Sequence, residues 1–381
     1  MSESMHILII GGGIGGLAAA IALQQLGLAV TVFERTPELH EVGAGLSLWP
    51  NAVKALDKLG LGEPLRAMGV PNGSAGIRAW DGTPLVQLSA STLEQTFGAP
   101  TIVVHRADLQ TLLRAALAPD VLRLGWECTG FVQDAEGVTA QFADGQSVRG
   151  DLLIGADGIR SAMRTQLFGE QPLRYAGYTA WRGVAHFAHD QLLLGETWGR
   201  GTRFGIAPLN QERVYWFATR NAPAGSAAAP DGHKAELLRR FRGRHDPIPA
   251  VIAATEATAI LHNDIYDLQP LKRWGQGRVT LLGDAAHAMT PNLGQGACQA
   301  LEDAVALAAG LHAGSSGDAG LRAYEARRIN RANAIVRQSW RVGRIAQLEH
   351  PLAVGLRNFA FKHMPSNMSM RQFTWLLGHE V

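Results

Sequence analysis

Hydrophobic positions along this chain fall into two patterns. Short continuous apolar runs, at 6–10, 29–33, 152–154 and 279–282, read as strands buried on both faces. Runs of mixed alternation, such as Gly76-Ile77-Arg78-Ala79-Trp80 before the turn Asp81-Gly82, read as antiparallel strands with one polar face. Segments 121–124, 130–133 and 138–142 suggest a β-meander, with Asp144-Gly145 as a hairpin turn. Residues 175–220 read as several strands rich in aromatics. Helical composition marks 17–26, 52–59, 105–118, 161–167, 234–242, 248–254, 296–311 and 325–346.

The first apolar run leads straight into Gly11-Gly12-Gly13-Ile14-Gly15-Gly16, then a helix, a second strand and Glu34. This is strand, G-x-G-x-x-G turn, helix, strand and acid, the arrangement that binds a dinucleotide. Gly11 permits the tight turn, Gly13 lets the backbone approach a pyrophosphate, and Gly16 lets helix and strand pack closely. Ile14 and Gly15 complete the turn, whose helix N-terminus offers unpaired N–H groups to phosphates. Glu34 suits a ribose diol and disfavours a 2′-phosphate there. The motif alone does not choose between NAD and FAD.

Composition narrows the picture by exclusion. The 381 residues carry 35 basic and 33 acidic side chains, a balance of +2 that gives no reason to expect a nucleic-acid partner. Cys128 and Cys298 are the two cysteines, so a disulfide framework or zinc site is unsupported, no metal is expected, and a cytoplasmic setting fits. The apolar stretch 7–33 contains the glycine turn and Gln24-Gln25, which argues against a membrane span or a signal peptide.

Two further motifs share the chemistry of the glycine turn. One is Gly155-Ala156-Asp157-Gly158, followed by Ser161 and Arg164. The other is the run from Gly283-Asp284 through Pro291-Asn292-Leu293-Gly294-Gln295-Gly296-Ala297. Together the three motifs resemble the single-component (group A) FAD-dependent aromatic monooxygenases, the para-hydroxybenzoate hydroxylase-like class, over about residues 5–345. Trp49-Pro50-Asn51 and Tyr178-Thr179-Ala180-Trp181-Arg182-Gly183 are most similar to its salicylate, 3-hydroxybenzoate and urate hydroxylase and zeaxanthin epoxidase branch.

The resemblance implies an α/β fold: a Rossmann-like, GR2-type FAD-binding domain with an inserted, mostly β substrate-binding domain. The expected division is 1–70, 100–170 and 270–345 for FAD, 71–99 and 171–269 for substrate, and 346–381 as a tail or helix packing on the core. It implies bound FAD, transient NADH or NADPH, O2 and a small aromatic or heteroaromatic substrate, in a monomer or homodimer. Ring hydroxylation leads; epoxidation of an apolar substrate, or an FAD oxidase or dehydrogenase without oxygen insertion, stay open.

Residue by residue, it places Gly11, Gly13, Ile14, Gly15, Gly16, Glu34, Arg35, Gly45, Arg106, Asp157, Gly158, Gly283 and Asp284 at FAD. Pro291, Gly294, Gln295, Gly296 and Ala297 belong at its flavin end, where a helix N-terminus favours the negative charge of reduced flavin. An acid ending a parallel strand, as Asp284 does, also sits where ligands bind in such sheets. Arg203, Tyr215, Phe217 and Asn292 are the expected substrate residues, with Arg203, Tyr215 and Pro291 nearest the chemistry. Urate hydroxylase has Asp where this chain has Asn292, and an amide cannot act as a carboxylate base, which argues against urate. No histidine stands out as a base; His186 and His189 are near the aromatic strands. Cys298 reads as an inert core thiol.

Overall fold

The continuous apolar runs come together in one sheet. In a computed structural model that describes residues 5–38, 44–71, 74–188, 194–227, 229–314, 317–364 and 374–379, its order is Gly275–Gln276, Val279–Leu281, Leu152–Gly155, His6–Ile10, Ala29–Glu34 and Leu122–Leu124. Every pairing is parallel except the first. Ile7, Leu8, Ile9, Leu152, Leu153 and Ile154 have no exposure, as expected of parallel strands covered on both faces. Helix Ile14–Gln24 packs on helix Gly296–Ala313, which in turn packs on the long helix Gly317–Ala346. Ala18, Ala19, Ala20, Ala300 and Ala304 bring these backbones close.

Two local readings change. Residues 122–124 do not belong to a meander; they pair parallel with Val32, Phe33 and Glu34 at the edge of the large sheet. The meander is Cys128–Gln133, Val138–Phe142 and Ser147–Gly150. A strand of three residues carries too little pattern to declare its partner. Ala90–Phe97 is a helix inside a stretch that reads as strands, closed by Gly98 at φ +73°.

The alternating runs form a seven-stranded sheet in the order Leu261–Asp267, Arg174–His186, Arg213–Asn221, Thr202–Leu209, Leu194–Trp198, Ser74–Ala79 and Pro84–Ser89. The period of two divides its side chains. Trp181, Phe204, Trp216 and Ala218 pack on one face against Leu237, Phe241, Ile248, Val251 and Ile252 of two helices. Tyr178, Arg182, Arg203, Tyr215 and Phe217 lie on the other face, set in register by Arg203 opposite Thr219, Ala207 opposite Tyr215 and Arg182 opposite Phe217. A small sheet of Gly45–Leu48, Ile102–His105 and Val70–Pro71 joins the two large ones, with Val103 packed on Ala207 and Leu209. Near the end of the chain, Leu376 and Leu377 are buried against Leu93, Phe97 and Ile335.

Among the described residues, no helix is long and apolar enough to cross a membrane, and no His, Cys, Asp and Glu cluster suits a metal ion.

Candidate active site

The glycine turn is closed on one side and open on the other. A Cβ on Gly11, at φ +112°, would lie 2.3 Å from the Ala156 carbonyl oxygen. One on Gly16 would lie 2.0 Å from that of Gly11, so neither position accepts a side chain. A Cβ on Gly13 would meet nothing within 4 Å. Gly13 caps helix Ile14–Gln24 without any side-chain hydrogen bond, so the N-terminal amides face that open space. Ile14 is buried, and Gly15 packs against Leu282 and Ala300.

Glu34 stands over this turn. Its Oε2 accepts from the Gly12 amide at 2.7 Å, and its Oε1 from the Thr36 amide and hydroxyl at 3.0 Å. Gln110 donates to the Gly12 carbonyl at 3.0 Å. Arg106 lies one turn earlier on the same helix face and is exposed. Arg35 is exposed beside Glu34. Gly45 makes room for the Tyr215 ring, from which a Cβ would lie 2.5 Å away.

The second and third motifs are tied together behind this region. Asp157 accepts from the Ser161 hydroxyl at 2.5 Å and the Met163 amide at 3.2 Å, and burial pushes its carboxyl up. Gly158 follows at φ +81°. The buried Arg164 donates to the carbonyls of Ile159 and Ala285, linking this loop to the Gly283-Asp284 turn. Asp284 is exposed, at the start of helix Asp284–His287. The Gly283 amide and the His287 imidazole both bind Asp303 Oδ2, at 3.0 and 2.6 Å.

Pro291 and Gly294 are exposed, Gly296 and Ala297 half-buried, and Gln295 buried. Gln295 Oε1 accepts from Asn51 at 3.0 Å and Gln299 at 2.9 Å. Helix Gly296–Ala313 starts with neither a side-chain cap nor an acid in its first turn. Its next turn is charged and fully buried. Glu302 binds Arg328, Arg331 and Asn51, and Asp303 binds Arg328 and His287. Burial opposes both negative charges, but these cations outweigh it and hold each carboxyl at about 2. Cys298 is buried, its thiol pushed up to about 12 by desolvation, so it is inert.

Of the residues expected at the substrate, Arg203 meets Asn292. Its Oδ1 accepts from Arg203 Nη2 at 2.6 Å and the Tyr178 hydroxyl at 3.1 Å. Its amide donates to Thr290 Oγ1 and the Ser339 carbonyl, and Gly343 leaves the room it occupies. Arg203 is 2% exposed and donates also to Gln347 Oε1 at 3.1 Å and Glu196 Oε2 at 3.3 Å. Tyr215 and Phe217 follow on the same sheet face. Burial pushes the hydroxyls of Tyr178 and Tyr215 up, so both stay neutral hydrogen-bond donors near neutral pH. Sequence reasoning placed Arg203, Tyr215, Phe217 and Asn292 here but missed Glu196, Gln347 and the buried charges. The one local signal was the pair Glu302-Asp303 in an otherwise apolar helix. His186 is exposed, and His189 lies outside the described residues.

The residues present fit FAD. The opening at Gly13, two uncapped helix N-termini and an anchored acid at the end of the second strand are what a dinucleotide with a flavin needs. The FAD-binding domain family model matches residues 4–339, and the chain belongs to that family as an FAD-dependent monooxygenase of the single-component class. It is 43% identical to the aurachin C monooxygenase/isomerase of Stigmatella aurantiaca over 369 residues, 96% of each chain. It is 39% identical to the FAD-dependent urate hydroxylase of Klebsiella pneumoniae over 338 residues, 87% of this chain and 88% of that protein. The solved Klebsiella pneumoniae HpxO, in complex with FAD and uric acid, superposes with a TM-score of 0.93 at 34% identity, covering 99% of this chain and 98% of that one.

Proposed function

We propose that this monooxygenase hydroxylates a small, planar aromatic or heteroaromatic molecule. It would lie between the aromatic face of the seven-stranded sheet and the loop around Pro291. The observation that carries this reading is the Asn292 junction. A residue of the flavin loop is bonded directly to Arg203 and Tyr178 of the sheet, so the two halves of the site share one rigid contact. The urate and aurachin C enzymes among its relatives, and uric acid in HpxO, support a planar substrate of this kind.

FAD would be held by the Gly11–Gly16 turn, Glu34, Arg106, Asp157, Asp284 and the amides from Gly294 to Ala297. The chemistry it supplies when bound is activation of O2 after reduction by NADH or NADPH. The protein's part is positioning and exclusion of water. Phe217 and Tyr215 would line the site with rings, the neutral Tyr215 hydroxyl could serve as a hydrogen-bond donor, and Arg203 would place a guanidinium beside them. Asn292 contributes no charge, so a proton acceptor has to come from elsewhere.

The test is oxidation of NADH and NADPH by the purified yellow protein against phenols, hydroxypyridines, hydroxyquinolines, aromatic acids and purines, under labelled O2. Stimulated oxidation with label in a ring hydroxyl is the expected result. Stimulation that yields only peroxide would overturn oxygen insertion into that compound class.

A further inference from the structure

Resting on that reading, we propose that Glu196 accepts the proton of the substrate. It binds a ring N–H or hydroxyl group and so selects substrates that carry one.

Across strands Arg174–His186, Arg213–Asn221, Thr202–Leu209 and Leu194–Trp198, alternation puts Tyr178, Arg182, Tyr215, Phe217, Arg203 and Glu196 on the site face. Glu196 is the one carboxylate among the described residues of these rows. Its two oxygens differ. Oε2 accepts from Trp198 Nε1 at 2.7 Å and Arg203 Nη1 at 3.3 Å, while Oε1 accepts from no described residue. The Glu196 side chain is 28% exposed beside an arginine that is 2% exposed. The carboxylate is thus held by one oxygen and presents the other to the space the face borders.

Arg203 sharpens the point. Each of its nitrogens already donates: Nε to Gln347, Nη1 to Glu196 and Nη2 to Asn292. Gln347 and Asn292 are neutral, so Glu196 is the negative charge that balances this buried cation. The same contact fixes the carboxylate beside that cation, with Oε1 left to accept a hydrogen bond. Tyr178 and Tyr215, both within electrostatic reach of Glu196, are neutral phenols with no anionic oxygen to take up a proton. This leaves Glu196 as the acceptor on the face.

In the proposed step the substrate's N–H or O–H bond breaks and its proton passes to Glu196 Oε1. The electron pair left on nitrogen or oxygen delocalises into the ring. That raises electron density at the carbon that receives oxygen.

The test uses the FAD-loaded enzyme with hydroxypyridines, hydroxyquinolines and phenols, each beside its O- or N-methylated form. Turnover and incorporation of labelled O2 are measured in the wild type and in Glu196→Gln, whose amide keeps an acceptor for Trp198 and Arg203. In the wild type, unmethylated compounds are expected to exceed their methylated forms in kcat by about 100-fold. Glu196→Gln should erase that ratio while holding a full complement of FAD. Equal turnover of methylated and free forms in the wild type overturns the proposal without any variant. A ratio that persists in Glu196→Gln, with label still entering the product, overturns it while leaving ring hydroxylation standing. No label in any product overturns the substrate reading and this inference with it.

Discussion

Around the glycine turn, recognition is written in backbone. Gly11, Gly13 and Gly16 lie within one short segment, and their service is to lack side chains: two remove clashes and one leaves space open. Around Arg203, recognition is written in side chains drawn from far apart. Gln347 comes from 144 positions away and Asn292 from 89. At Gly11 and Gly16 the first region tolerates no added atom, whereas the second depends on every partner keeping its charge and reach. The Gly283–Gly296 segment joins them, carrying exposed Asp284 and Gly294 together with Asn292, which is bonded to Arg203.

Substitutions within the turn should break the contrast most severely. Gly16→Ala drives a Cβ into the Gly11 carbonyl and should give no yellow, folded protein. Gly13→Val adds a Cβ that meets no protein atom within 4 Å and should fold, yet lose FAD completely, because its side chain fills the space meant for pyrophosphate. The ratio of flavin to protein absorbance and the thermal melt separate the two outcomes. Stoichiometric FAD in Gly13→Val would sink the cofactor assignment.

Next comes the charged layer behind the flavin loop. Arg328→Ala strips Glu302 and Asp303 of their shared cation while both stay buried, and should cost about 3–5 kcal/mol in a urea titration. The same layer predicts acid sensitivity. Both carboxyls sit below their ordinary values of 4.5 and 3.8, near 2. Their stabilisation is therefore complete above those ordinary values and drains away as pH falls towards 2. FAD retention and melting temperature should fall through that window, and a flat profile there would contradict the pairing.

Substitutions on the sheet should act on turnover rather than on flavin. Arg203→Ala should keep its FAD and lose about 100-fold in substrate-stimulated turnover. Unchanged kinetics would remove Arg203 from the site. The smallest effect is expected from Gln347→Leu, which leaves Arg203 charged but frees its Nε. A loss of about tenfold in kcat, equivalent to ~1.4 kcal/mol, with KM little changed, would mark Gln347 as a positioning residue. A change confined to KM would make its role one of binding.

Legibility followed the same divide. The turn, Asp157 and the Asp284-to-Ala297 run were readable because each packs its chemistry into a few consecutive residues. Arg203, Tyr215 and Phe217 were readable as aromatic-strand residues, although nothing local disclosed that Arg203 would be buried. Gly45 was grouped with the cofactor residues, and its visible duty is to admit the Tyr215 ring. Glu196 gave no signal, since one acid in a strand of mixed composition is ordinary. Its meaning comes from strand register, which sets Trp198 opposite Arg203 and turns Glu196 to the same face.

The sequence alone therefore disclosed a dinucleotide site and the elements that carry it, because glycine spacing and strand-to-helix punctuation are local properties of the chain, and its three motifs together carried the resemblance that implied FAD and oxygen insertion. Tertiary structure alone decided which charges balance Arg203, why Asn292 is held from both sides and where a proton can go. Those depend on sheet register and on the end of a helix more than a hundred residues away, and a one-residue slip in register would turn each side chain to the opposite face.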